Sequence, residues 1–216
     1  MVPDIKAVIF DLDGTVFDSM WVWRDIDRAF MVRIGVDALE EVEAAIEGLS
    51  FIKTAEYFKE RFDLTEDIKE ITDNWNRDAF DKYANEVSFK PGCKEFLTFL
   101  HENGIKCGLA TSNNIKLARV ALENNGVIDY FDEIKTGEDV VNSKPAPDIY
   151  LAAAQGLGVK PEHCLVCEDL VAGITAGKTA GMKTCAIYDE YSKDQTEEKQ
   201  SLADYFIKDY RELLAE

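Results

Sequence analysis

From Pro91 onward, short apolar runs with β-branched residues alternate with helical patterns of about ten to fifteen residues, and no other feature of the chain constrains its fold as strongly. Helical patterns at about 92–103, 114–124, 147–157 and 170–180 separate strand patterns at Lys106–Ala110, Glu133–Thr136, His163–Cys167 and Lys183–Tyr188. A short strand near Tyr205–Ile207 and a terminal helix close the series. A strand that returns to its own sheet through a helix lies parallel to its predecessor, so the pattern predicts βαβ units with helices on both faces. One further strand, at about 5–10, stands apart at the N-terminal end. From about 17 to 88 there is almost no strand signal, and helical patterns fall at about 21–34, 38–48, 51–61 and 66–84. Gly35 and Gly48 act as helix stops there, and Thr65 is a partial capping signal. The segment Asp189–Gln200 reads as a charged, solvated loop or helix start. The prediction is an α/β fold. Residues 1–16 and 89–216 form a doubly wound, Rossmann-like parallel sheet core, and an α-helical domain of residues 17–88 is inserted after the first strand.

Charge narrows the partners. The 216 residues hold 24 Lys and Arg against 42 Asp and Glu, a formal net charge of −18. Such a chain is repelled by nucleic acid and by anionic membrane, whose binding depends on Lys and Arg neutralising phosphate. An anionic substrate has to be drawn in by local positive groups or a metal. A charge precedes any apolar stretch of signal-peptide length, and no run approaches the ~18 apolar residues of a membrane span. The expectation is a cytoplasmic, monomeric protein with a small-molecule partner, no nucleic acid and no membrane. Five cysteines (Cys93, Cys107, Cys164, Cys167 and Cys185) make an odd count, which argues against a disulfide framework. Cys164 and Cys167 have Cys-x-x-Cys spacing but sit inside a strand pattern without a second ligand pair, so they read as buried small apolar residues.

Polar residues gather where the strand patterns end. The first strand, Ala7-Val8-Ile9-Phe10, delivers Asp11, Leu12, Asp13, Gly14 and Thr15. In an open parallel sheet, ligands bind at the carboxyl ends of the strands. Two acids there can hold a hard cation, or divide into nucleophile and acid/base. Thr111-Ser112-Asn113 follows the next strand, where hydroxyls and helix N-terminal amides can cradle an anion. In Ser143-Lys144-Pro145-Ala146-Pro147-Asp148 the prolines make a rigid turn that can lock Lys144 in place. Glu168-Asp169 adds two carboxylates after Cys164–Cys167. Each cluster alone has a plainer explanation: a helix N-cap for Thr111 or Ser112, surface charge for Lys144, helix-start acids for Glu168 and Asp169. Their common position at strand ends favours one catalytic site.

The order Asp11-Leu12-Asp13-Gly14-Thr15, Thr111-Ser112-Asn113, Lys144-Pro145 and Glu168-Asp169 resembles the four motifs of the haloacid dehalogenase superfamily of phosphohydrolases. The resemblance spans about residues 6–188 and is strongest to the β-phosphoglucomutase-like branch. Pro147-Asp148-Ile149-Tyr150 and Ala172-Gly173-Ile174 through Ala180-Gly181-Met182 are also similar to that branch. On this resemblance the helical insertion is a cap domain, with the active site between core and cap. Hinges near Val16–Ser19 and Val87–Pro91 would open and close it. Asp11 is implied as the nucleophile that forms an aspartyl-phosphate, and Asp13 as general acid and then base. Thr111 would hydrogen-bond the phosphoryl group, Lys144 would offset its charge and that of Asp11, and Ser112 and Asn113 would bind substrate. Asp11, the Asp13 backbone carbonyl, Asp169 and Glu168, the last directly or through water, would hold Mg²⁺. The dehalogenases lack the second acid, so Asp13 favours phosphate transfer.

The cap is expected to decide the substrate. Sugar-phosphate mutases of this branch carry a His soon after the first motif and an Arg in a Gly-x-Ser-Arg segment. The corresponding positions here are Trp23 and the Phe51 of Gly48-Leu49-Ser50-Phe51. Without a cationic clamp for a second phosphate, a phosphatase of a small phosphorylated metabolite, sugar phosphates included, is favoured over a mutase. Trp23 and Ser50 are candidate substrate-binding residues. Trp21, Trp23 and Phe51 are candidates either for a sugar-stacking pocket or for cap-helix core. Two readings of other classes are weaker. Ala172–Thr179 fits a loose Walker A pattern, which would make an NTPase, and a non-catalytic binding protein could use the same fold. An EF-hand reading of Asp11–Gly14 fails because the glycine falls fourth and Val22 stands where the terminal Glu is needed.

Overall fold

The structure, a computed structural model, describes residues 4–36, 39–46 and 51–214. In chain order, β1 (Ala7–Phe10) and β2 (Phe17–Asp18) precede four helices, α1 (Trp21–Arg33), α2 (Leu39–Ile46), α3 (Phe51–Arg61) and α4 (Ile68–Asn85). Next come β3 (Ser88–Phe89), α5 (Cys93–Glu102), β4 (Lys106–Thr111), α6 (Ile115–Asn124), β5 (Glu133–Thr136) and α7 (Asp148–Leu157). The last elements are β6 (Cys164–Glu168), α8 (Val171–Thr179), β7 (Lys183–Ile187), α9 (Thr196–Leu202) and β8 (Tyr205–Ile207). The chain divides into two compact units, one of residues 1–20 with 83–216 and one of residues 21–82.

The first unit is built on a sheet of order β5-β4-β1-β6-β7-β8, with every neighbouring pair parallel. All four residues of β1 are buried, because a central parallel strand is covered on both faces and shows no polar alternation. Ala7, Ile9 and Val166 pack with Ile149, Tyr150, Ala153, Ala154 and Leu157 of α7 in one apolar cluster. The chain fills one side of β1 with β4 and β5, then resumes on the other with β6. That reversal makes the carboxyl end of β1 a topological switch point, where such sheets leave a crevice. A two-residue antiparallel ribbon, β2 with β3, pairs Phe17 with Phe89 where the chain leaves and re-enters this unit, and the two rings lie 4.9 Å apart.

The second unit consists of helices. Val22, Ile26 and Phe30 recur at i, i+4 and i+8 on α1, and this stripe is buried. Phe30, Phe58 and Trp75 meet edge to face, with centroids 5.0, 5.2 and 5.6 Å apart. α4 starts at Ile68 because Asp67 and Glu70 cap it reciprocally: the Glu70 amide donates to Asp67 Oδ1 at 2.7 Å and the Asp67 amide to Glu70 Oε2 at 2.9 Å. Thr65 is therefore not the start signal.

Two other expectations, the terminal helix and the solvated stretch Asp189–Gln200, are corrected. The terminal helix is a single 3-10 turn, Tyr210–Leu213, opened by a capping box of Asp209 and Glu212. The Walker-like segment is helix α8, as the helical pattern at about 170–180 predicts. Its Gly173 and Gly177 make room for Glu168 and for Thr184 with Val166, and Lys178 pairs with Asp204 at 2.9 Å. The stretch Asp189–Gln200 is not simply solvated, since Asp189, Ser192 and Lys199 are buried. All five cysteines are free and buried. No helix of the described residues is long and apolar enough to cross a membrane.

Candidate active site

β1 ends by handing Asp11 to a tight turn. The Val16 and Phe17 amides both donate to the Leu12 carbonyl, at 2.9 and 3.0 Å, which folds residues 12–17 back over the strand end. Gly14 is required at two levels. Its φ of +73° disfavours any side chain, and a Cβ there would lie 2.4 Å from Asp169 Oδ2. The acid after β6 thus abuts the turn after β1, as the pairing of Phe10 with Cys167 in adjacent strands dictates.

Asp11, Lys144, Glu168 and Asp169 come together at this end of the sheet. Carboxylate oxygens of Asp11, Glu168 and Asp169 lie within 4.8 Å of one another. Lys144 Nζ reaches into the group and donates to Asp11 Oδ1 and Glu168 Oε1, each at 2.7 Å. Both Glu168 oxygens are occupied: Oε1 also accepts from the Tyr150 hydroxyl at 3.1 Å, and Oε2 from the Leu170 amide at 2.9 Å. Asp169 is served differently. Oδ1 accepts a long 3.5 Å bond from Thr15, while Oδ2 is buried and accepts none among the described residues. An unpartnered buried carboxylate oxygen is costly, and a hard cation with oxygen ligands is the group that would complete it. The residues therefore fit a divalent metal.

Asp13, two residues beyond Asp11, turns to neutral donors. Its Oδ1 accepts from Ser19 Oγ at 2.7 Å and from the Tyr83 hydroxyl, and its Oδ2 from Asn113 Nδ2 at 3.2 Å. Asn113 Nδ2 also donates to the Tyr83 hydroxyl at 3.0 Å. Thr111, the last residue of β4, is buried, and its Oγ1 accepts from the Asn113 amide at 3.0 Å. Ser112 is exposed beside it. Neither hydroxyl caps α6; that task falls to Asn114, whose Oδ1 accepts from the Lys116 and Leu117 amides. Trp23 is half-buried on α1 in the other unit, and Ser50 lies outside the described residues. Sequence reasoning missed Tyr83, Ser19 and Tyr150. Tyr83 and Tyr150 sit at fully buried positions of amphipathic helices, where an aromatic reads as packing.

The charges explain one another. Burial pushes Asp11 up to about 7; Lys144 opposes the shift, while Glu168 and Asp13 reinforce it. Burial also raises Asp13, against the hydrogen bonds from Tyr83, Ser19 and Asn113. Asp169 is raised further, by burial and by the neighbouring Glu168, Asp11 and Asp189 carboxylates. Burial works against the charge on Lys144, but Asp11 and Glu168 outweigh it and hold the ammonium well above its usual range. Without a further cation the cluster therefore retains protons that a nucleophilic carboxylate has to shed.

A sequence model of the haloacid dehalogenase-like hydrolase family matches residues 8–187. YhcW of Bacillus subtilis (strain 168) is 35% identical over 184 residues, 85% of this chain and 83% of its own. The phosphorylated carbohydrates phosphatase of Thermotoga maritima is 28% identical over 179 residues, 83% of each chain. The crystal structure of CbbY from Rhodobacter sphaeroides in complex with phosphate matches with a TM-score of 0.82 at 23% identity, over 97% of this chain and 96% of that one, a likeness of fold.

Proposed function

The chain belongs to the haloacid dehalogenase-like hydrolase family, and on that footing we propose that it is a Mg²⁺-dependent phosphatase of a small phosphorylated metabolite, working through an aspartyl-phosphate on Asp11. The observation that carries the reading is the arrangement at the end of β1. One acid is paired to an ammonium inside a three-carboxylate cluster, and a second acid two residues on is held by neutral donors. Phosphorylated carbohydrates are the favoured substrate class, supported by what the Thermotoga maritima relative acts on.

Asp11, Asp169 and the Asp13 carbonyl, with Glu168 beside them, would hold Mg²⁺; when bound, the ion offsets the repulsion between a carboxylate and a phosphate dianion. The Asp11 carboxylate attacks phosphorus, and the bond to the leaving oxygen breaks as Asp13 gives that oxygen its proton. Asp13, now a carboxylate, takes a proton from water, whose oxygen attacks the same phosphorus and returns Asp11 free. Thr111, Ser112 and Asn113 supply donors to the phosphoryl oxygens. Lys144, fixed by Glu168 and Tyr150, keeps a positive charge beside Asp11 throughout.

The test is phosphate release from p-nitrophenyl phosphate and a panel of sugar phosphates, including β-glucose 1-phosphate with a bisphosphate activator, in the presence of Mg²⁺. The proposal expects release that falls to background in EDTA and in Asp11→Asn. Absence of release from every substrate, or full activity in Asp11→Asn, overturns it. Isomerisation of β-glucose 1-phosphate without net release would instead identify a mutase.

A further inference from the structure

The charged stretch after β7 folds back onto the turn that carries Asp169. Lys199 of α9 is 0% exposed, and Asp189 and Ser192 are 1% exposed. Lys199 Nζ donates to the Asp169 main-chain carbonyl and to Ser192 Oγ, both at 2.9 Å. Ser192 Oγ donates to that same carbonyl at 3.0 Å. Two residues on, the Val171 amide at the start of α8 donates to Gln195 Oε1 at 3.0 Å. The base of the stretch is anchored in turn, since Lys90 Nζ meets Asp189 Oδ2 in a buried pair at 2.7 Å.

Lysine is almost never fully buried unless paired. Among the described residues no carboxylate lies within ion-pair distance of Lys199, and its hydrogen bonds go to one backbone carbonyl and one hydroxyl. Packing does not explain this choice, because a methionine would fill a similar volume without desolvating a charge. What the ammonium touches is the main chain of the one acid in the cluster whose side chain has an unpartnered buried oxygen.

We propose that Lys199 is a positioning residue for the cation site: with Ser192 it fixes the Asp169 peptide, and so keeps the Asp169 carboxylate beside those of Asp11 and Glu168. Groups behind a metal ligand commonly act in this way, holding the ligand in its binding orientation. The inference rests on the metal-binding reading above, and the sign of one measurement separates it from a bare charge effect. A nearby positive charge acting only through its field would repel a divalent ion, so its removal would tighten binding. A positioning residue predicts weaker binding.

The experiment is calorimetric titration of Mg²⁺ into the full-length parent, Asp169→Asn, Lys199→Met and Ser192→Ala, without substrate, with unfolding midpoints recorded in EDTA. Lys199→Met is expected to bind Mg²⁺ about tenfold more weakly or worse, and Ser192→Ala several-fold more weakly. The kcat of Lys199→Met at saturating Mg²⁺ should stay within about threefold of the parent, because the loss lies in metal affinity and not in the chemistry. Folded Lys199→Met with parental or tighter affinity overturns the proposal. Where Lys199→Met does not fold, Ser192→Ala decides, with weakened binding in support and parental binding against. A parent that binds no Mg²⁺ removes the metal reading itself. A parent that binds while the folded variants bind equally removes only the role of Lys199.

Discussion

Asp11 and Asp13 leave the same strand two positions apart, yet they meet different surroundings. Asp11 faces an ammonium at 2.7 Å, whereas Asp13 is held by two hydroxyls and an amide. An ammonium favours the ionised carboxylate that a nucleophile needs, opposing the rise that burial imposes on Asp11, while neutral donors leave room for a proton to come and go. Tyr83 belongs to that balance, since its hydrogen bond works against the rise that burial imposes on Asp13. Tyr83→Phe removes the donor, so Asp13 should rise further. The alkaline limb of the pH–rate profile, set by Asp13 as general acid, should then move to higher pH by about half to one unit, the equivalent of one hydrogen bond. The profile of kcat against pH checks this, and an unmoved profile would deny Tyr83 any influence on Asp13. Nothing in the sequence marks this role, because Tyr83 is read as one more aromatic on the buried face of α4. Lys199 is hidden for the opposite reason. Thr196-Glu197-Glu198-Lys199-Gln200 looks solvated, and only the folded chain turns that lysine inward.

At the scale of elements, α8 lies so close to the end of β6 that glycine is demanded on one face. A Cβ on Gly173 would fall 1.7 Å from Glu168 Oε1, and one on Gly177 would fall 2.9 Å from Thr184 Cγ2. Helix propensity favours alanine by about 1 kcal/mol, but overpacking costs about 1–3 kcal/mol and here moves a charged group as well. Gly173→Ala should therefore lower the melting temperature. It should also cut kcat/KM by tenfold or more, by displacing the carboxylate that holds Lys144. Gly177→Ala should lower the melting temperature with a much smaller loss of activity. Thermal melts paired with steady-state kinetics decide, and equal activity losses would contradict the account. The parallel sheet itself is legible because its strands are short apolar runs such as Ala7–Phe10 and Cys164–Cys167, separated by amphipathic helices. The β2–β3 ribbon is not, since two residues per strand carry no period. The start of α4 was available as Asp67-Ile68-Lys69-Glu70, a capping pattern placed two residues after the weaker Thr65 signal.

Taken as a whole, the molecule carries −18 charges and still buries carboxylates at the end of β1, so its stability without metal is tied to protons. Asp11 titrates near 7 in the fold against an ordinary carboxylate value of 3.8, and Asp169 is raised as well. The folded chain thus holds protons that the unfolded chain releases. The stability this confers is complete below about pH 4 and is lost as pH rises through about 7. In EDTA the melting temperature should consequently fall between about pH 5 and 8, and added Mg²⁺ should raise it more at the upper end of that range than at the lower. A Mg²⁺ shift independent of pH would contradict this linkage. The central claim, that Asp11 accepts the phosphoryl group, is tested most directly by peptide mapping of Asp13→Ala by mass spectrometry after incubation with p-nitrophenyl phosphate and Mg²⁺. The p-nitrophenolate group leaves without needing a proton, whereas hydrolysis of the intermediate needs the missing base. The account predicts a phosphoryl group on the peptide containing Asp11 and none in Asp11→Asn. Release of p-nitrophenol with Asp11 unmodified at every time point would contradict it.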